Sequence, residues 1–104
     1  MSDTFEQFKG EIHIIARQTA QPGKADELVA LLKGVKASCD SDAEPDCLRY
    51  EILRFDHEIC VVEKYANAAA IHTHMNTPPF KFLGTKRAEV VVEGSRVVKF
   101  FEST

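Results

Sequence analysis

Along residues 11–18 (Glu-Ile-His-Ile-Ile-Ala-Arg-Gln) apolar and polar positions alternate loosely and β-branched residues are frequent, which predicts a strand. Gln21-Pro22-Gly23 breaks it. From Lys24 the period changes: Ala25, Leu28, Leu31, Leu32, Val35 and Cys39 recur at three- and four-residue steps. That spacing is an apolar stripe on a helix whose polar face carries Asp26, Lys33, Lys36 and Asp40. Residues 38–46 are acidic and turn-rich, and Pro45 bars continuation of the helix, so a surface loop is expected there. Cys47–Phe55 and Glu58–Tyr65 then read as strands joined at Asp56-His57, a length that suits a hairpin or a slightly longer turn.

Asn67 is a good N-cap for a short helix through Met75, and Thr77 can cap a second helical turn beginning on Pro78 and Pro79. Beyond Arg87, residues 89–92 and 96–101 read as strand, with Gly94-Ser95 marking either a bulge or a hairpin. The order strand, helix, strand, strand, helix, strand folds most simply as an α+β, ferredoxin-like split βαβ unit. In that arrangement both helices cover one face of an antiparallel sheet. The strands carry apolar residues at both parities: Ile12 and Ile14 against Ile15, Leu48 and Ile52 against Leu53 and Phe55, Val61 against Val62. Pattern alone leaves open which parity faces the helices. The uncovered face is expected to close against a second copy, giving a homodimer.

A chain of 104 residues accommodates one small domain, here with its core at about residues 11–101. Its 44% hydrophobic and 28% charged residues belong to an ordinary folded chain, and no apolar run approaches the ~20 residues of a membrane span. Residues 1–9 are polar and acidic, without the basic start and apolar core of a secretory signal, so the cytosol is the expected location. A net charge of -3 with scattered lysines argues against nucleic acid as a partner. Cys39, Cys47 and Cys60 show no Cys-x-x-Cys spacing, which suggests reduced thiols rather than a disulfide framework or a zinc site. Phosphate loops and a nucleophile elbow are missing, which sets aside nucleotide-dependent and hydrolytic activities.

Chemistry concentrates at His74, which shares a helix face with Ile71 and Pro78. An imidazole that titrates near neutrality can accept a proton; otherwise it is a half-buried side chain bonded to a backbone carbonyl. His72, two positions away, points elsewhere, so a paired metal site on this helix is not expected. His13 lies at the parity of Ile15 and Arg17, facing either a pocket or the dimer seam.

Pro22-Gly23-Lys24, Cys47-Leu48-Arg49-Tyr50-Glu51-Ile52, Val62-Glu63-Lys64-Tyr65-Ala66, and His74 followed by Thr77-Pro78-Pro79-Phe80 together resemble the antibiotic biosynthesis monooxygenase (ABM) family of dimeric α+β barrels. The resemblance implies a cofactor-independent monooxygenase acting with dioxygen on a small aromatic phenol or quinol, which itself supplies the electrons. It implies a pocket between helices and sheet lined by Ile71, His74, Met75, Phe80 and Leu83, with His74 as the base that deprotonates the phenol. Tyr50 and Tyr65 match aromatic positions of the family's strands, where they bond a quinone oxygen or simply pack. Arg17 and Arg49 become candidates for stabilising an anion, against the plainer role of pairing with Glu51 or Glu63.

Two departures bear on the reaction. Pro79 stands where many members carry a second histidine, so a paired-histidine mechanism is in doubt. The haem-degrading branch uses a tryptophan, a first-strand asparagine and an iron-binding histidine; this chain has no tryptophan, and Leu83-Gly84 occupies the ligand's region, which disfavours haem. No metal or other cofactor is expected. The same pocket also suits a non-oxidative isomerase or a dimer that only binds a small apolar ligand.

Overall fold

The computed structural model describes Ser2 and residues 4–104; Met1 and Asp3, within the stretch read for a secretory signal, lie outside the described residues. Seven elements follow one another: β1 (Ile12–Thr19), α1 (Ala25–Cys39), β2 (Cys47–Phe55), β3 (Glu58–Tyr65), α2 (Ala68–Met75), α3 (Pro78–Val90) and β4 (Val97–Glu102). The strands form one antiparallel sheet in the order β2-β3-β1-β4, the ferredoxin-like α+β arrangement. Among the described residues no helix is long and apolar enough to cross a membrane.

Local chemistry accounts for the boundaries. Gly23, at φ 75°, makes the turn into α1 in a conformation that a side chain would strain. Leu28, Leu32, Val35 and Cys39 are buried along α1, as its stripe predicts. The β2–β3 connection is the two-residue turn Asp56-His57, with Asp56 at φ 55°, a region aspartate tolerates better than most residues. A bulge between Cys47 and Arg49 interrupts the pairing with β3, and Leu48 is left exposed.

Residues 89–92 do not form the expected strand. Pro78 and Pro79 start α3, which runs to Val90, so that Leu83 and Val90, seven residues apart, are both buried in the core shared with α1. Packing of that stripe outweighs the strand preference of three consecutive valines. Only Val91 bridges Ala20, and Gly94, at φ 80°, turns the chain into β4, neither a bulge nor a hairpin within a strand.

The sheet's parity follows from burial. Ile12, Ile14, Ala16 and Gln18 of β1, Ile59, Val61, Glu63 and Tyr65 of β3, and Tyr50 of β2 are buried on the helix side. Ile15 and Val62 stand on the opposite face with Leu53, 45% exposed, and Phe55, 82% exposed. Two apolar clusters cover the inner face, one joining α1, α3 and the sheet around Leu28, Val35 and Leu83, the other under α2 around Phe5, Ile12, Tyr65 and Ile71. Where α2 stops and α3 begins, at Asn76-Thr77, the clusters part and leave a cavity.

Candidate functional site

His74 sits on the buried face of α2 with Ala70 and Ile71. Asn67 caps that helix, its side-chain oxygen accepting from the Ala70 N–H at 2.9 Å. At the other end Thr77 donates its hydroxyl to the His74 carbonyl at 2.8 Å, in place of a side-chain cap on α3. Both ends of the short helix are thereby fixed, and the imidazole with them.

The ring is 3% exposed and is held on its Nδ1 edge by Glu44, also 3% exposed, whose Oε1 lies 2.8 Å away. Ser38 donates its hydroxyl to the other Glu44 oxygen at 2.6 Å, and the Cys39 thiol donates to Oε1 at 3.7 Å. A carboxylate that accepts from Nδ1 places the ring's proton there and leaves Nε2 with its lone pair. On the Nε2 edge, Glu63 Oε1 stands at 3.7 Å and accepts the Tyr65 hydroxyl at 2.7 Å. Tyr50, Tyr65 and Phe80 surround the imidazole with ring centroids 5.8, 5.3 and 5.0 Å away.

This enclosure sets the protonation states. Burial lowers the pKa of His74, and the hydrogen bond and charge of Glu44 only partly restore it, so the neutral imidazole is favoured. Burial pushes the Glu63 carboxyl up to about 7, against the Tyr65 hydrogen bond and the Arg96 charge that favour its ionised form. Burial likewise raises both Tyr50 and Tyr65 above the ordinary phenol range, which keeps their hydroxyls protonated.

A cavity of about 280 Å³ opens beside His74, lined by Phe5, Ile71, Met75, Phe80 and Phe100 on its apolar side and by Glu63, Arg87 and Arg96 on its polar side. An inner recess of about 30 Å³, room for one water molecule, continues past His74 to Tyr50, Gln18 and Leu83. Two buried polar atoms at its walls, Gln18 Oε1 and Arg87 Nε, have no hydrogen-bond partner.

Of the side chains singled out in the sequence, Ile71, His74, Met75 and Phe80 meet at the cavity, and Leu83 and Tyr50 line its inner recess. Tyr65 touches His74 from behind, its hydroxyl committed to Glu63. Arg17 does not join them: it alternates with Ala16 and Gln18 and so projects from the opposite face, beside Leu53 and Phe55. Arg49 pairs with Glu51, its Nε 3.0 Å from the carboxylate. His13 bonds Ser103 at 2.8 Å through Nε2, and His72 is exposed against the Phe5 ring.

Glu44, Glu63, Arg87, Arg96 and Phe5 were not legible as site residues. Glu63 had a signal, since it shares the parity of Ile59, Val61 and Tyr65. Glu44 had none, because a buried glutamate in an acidic loop looks like its exposed neighbours; the loop is otherwise largely exposed, as expected. Cys39, Glu44 and His74 are the one group of three metal-ligating side chains among the described residues, with ligand atoms within 4.8 Å of one another. A metal there would take the Nδ1 edge that Glu44 now holds.

A split βαβ sheet that encloses a carboxylate-held histidine beside an apolar cavity defines a pocketed α+β domain of the ferredoxin-like class. The chain belongs to the antibiotic biosynthesis monooxygenase family, whose model matches residues 11–82. No curated protein sequence matches it. Among solved structures, it is similar to a Caulobacter crescentus protein provisionally described as an antibiotic biosynthesis monooxygenase, with 28% identity, a TM-score of 0.82, and 93% of this chain and 92% of that one covered. A Shewanella oneidensis protein is 26% identical with a TM-score of 0.73, covering 88% of this chain and 89% of its own. A Pseudomonas aeruginosa protein shares the fold at 22% identity and a TM-score of 0.81, covering 94% and 98%.

Proposed function

We propose that this protein is a cofactor-independent monooxygenase that oxidises a small aromatic phenol or quinol, with His74 as general base. The observation that carries the reading is the polarity of the imidazole: Glu44 holds Nδ1, while Nε2 lies toward Glu63, which with His74, Phe5, Phe80 and Phe100 lines the cavity. Membership of the ABM family and the 28% identity to a protein provisionally described as such a monooxygenase support it.

In this mechanism Nε2 takes the phenol proton, and the electron-rich anion gives electrons to dioxygen. A carbon–oxygen bond forms, the oxygen–oxygen bond breaks, one oxygen atom stays as the new carbonyl and the other leaves as water. The substrate loses two hydrogens, one from the phenol O–H and one from the carbon that is oxygenated, and supplies all the electrons, so no external reductant enters. Low His74 basicity keeps the base unprotonated at neutral pH, and burial of the imidazole holds it away from bulk water. Tyr50, on the wall of the inner recess, is the candidate donor to the developing carbonyl oxygen by way of a water molecule, for which that recess has room.

The functional unit in this reading is a homodimer closed through the sheet face that carries Ile15, Leu53, Phe55 and Val62. The test of the reaction is oxygen consumption by metal- and flavin-free protein across a panel of anthrones and naphthoquinols. Saturable uptake above autoxidation is expected. Uptake equal to autoxidation throughout sinks the monooxygenase reading and favours an isomerase or a binding protein on the same pocket.

A further inference from the structure

Arg87, on α3, and Arg96, just before β4, line the main chamber and its inner recess, and also border a further pocket next to Glu93 and Gly94. Neither arginine forms an ion pair among the described residues. Each carries a permanent charge, and the charge of Arg96 together with burial works against that of Arg87. Arg87 Nε is moreover a buried donor without a hydrogen-bond partner among the described residues, which an accepting ligand would satisfy. Two acids stand nearby: Glu63 within the cavity, whose carboxyl is pushed up to about 7 by burial, and Glu93, which lines a further pocket with both arginines; neither lies within ion-pair distance of Arg87 or Arg96. Arg96 is exposed and Arg87 half-buried, so water screens part of their charge; a ligand with a permanent planar anion can pair with both guanidinium groups, which a neutral phenol cannot.

We propose that Arg87 and Arg96 form an anion subsite, and that the ligand of this cavity is an aromatic acid: a hydroxylated ring or fused ring pair that bears a carboxylate. A guanidinium fork matches the two carboxylate oxygens, and two such groups on the polar side of a chamber whose other side is largely apolar orient the ring as well as hold it. The 280 Å³ volume lies at the small end of the range for ligand pockets, which suits one or two rings rather than a longer polycycle. The inference rests on reading the cavity as the substrate site, and it adds the charge of the substrate and the residues that select it.

The test is equilibrium binding, under anaerobic conditions, of 6-hydroxy-2-naphthoate and its carboxamide to wild type, Arg87→Gln, Arg96→Gln and His74→Gln proteins. The acid is expected to bind wild type at least about tenfold more tightly than the amide, a preference that weakens with added salt. Either arginine variant should bring acid and amide close together by weakening the acid far more than the amide, and His74→Gln should keep the preference. Equal affinity of acid and amide in wild type overturns the proposal, as does a preference that survives in both arginine variants, or failure of both probes to bind at millimolar concentration. Oxygen uptake separates this inference from the reaction it rests on. An acid preference without uptake leaves the subsite standing and removes the monooxygenase, whereas uptake without the preference removes the subsite alone.

Discussion

Glu44 Oε1 stands 2.8 Å from His74 Nδ1, joining the loop after α1 to the last turn of α2 through two side chains that are each 3% exposed. Glu44 fixes which imidazole nitrogen carries the proton, and it partly offsets the fall in His74 basicity that burial causes. Replacing it should therefore act on His74 in two ways. In Glu44→Gln, kcat should fall by about tenfold or more with little change in KM, because orientation is lost without removing the base. The acid limb of the kcat/KM profile and the His74 NMR titration should both move to lower pH, since the partner that raised its pKa is gone. An unchanged His74 titration would remove Glu44 from the mechanism.

Glu63 gives the opposite dependence on pH. Its folded pKa of about 7 lies above the ordinary carboxyl value of 4.5, so between those values the folded state holds a proton that the unfolded state has released. Its contribution is fully present below pH 4.5 and is lost as pH rises through about 7, on the order of 3 kcal/mol in all. His74, with a lowered pKa, works the other way below about pH 6.5, so the Glu63 term is read by difference. Denaturant unfolding of wild type and Glu63→Gln should show the variant gaining relative stability from pH 5 to 8. A constant difference across that range contradicts the assignment.

The uncovered sheet face predicts association. Leu53→Glu together with Phe55→Glu places charges on side chains that are 45% and 82% exposed, so the single fold should lose little stability while the dimer weakens by well over tenfold. Sedimentation equilibrium reads both. A wild-type protein that stays monomeric at micromolar concentration contradicts the sheet-to-sheet dimer.

Asn67 supports the site from a distance. Its side chain satisfies the Ala70 N–H at the start of the helix that carries His74, and Asn67→Ala should cost about 1 kcal/mol in chemical denaturation. Because α2 has only eight residues, this loss should also slow turnover, whereas Asn67→Ser or Asn67→Asp should restore both.

Much of this architecture was legible because it is periodic. The α1 stripe, the β2–β3 hairpin, the Asn67 cap and the paired prolines of α3 are local signals that the folded chain obeys. The course of residues 89–92 was not, since three valines favour strand locally and only the distant contact of Val90 with the α1 layer decides for helix. The site divides in the same way. His74, Ile71 and Phe80 follow from helix spacing and from likeness to the ABM family. Glu44 and the Arg87–Arg96 pair depend on how a loop and two chain segments converge, which no short-range pattern encodes. Arg17 shows the cost of an unresolved parity, because one step along β1 moves a side chain from the cavity face to the opposite one.

The most direct test of the central claim separates proton transfer from oxygen chemistry. An anthrone or naphthol that turns over should be mixed anaerobically with wild type and with His74→Gln while the phenolate absorbance is followed. The phenolate band should rise on binding to wild type, collapse when oxygen is admitted, and fail to appear with His74→Gln even at saturating substrate, with turnover reduced about 100-fold or more. A band of equal size in the variant would show that another group removes the proton, and His74 would then be no more than a buried side chain held by Glu44.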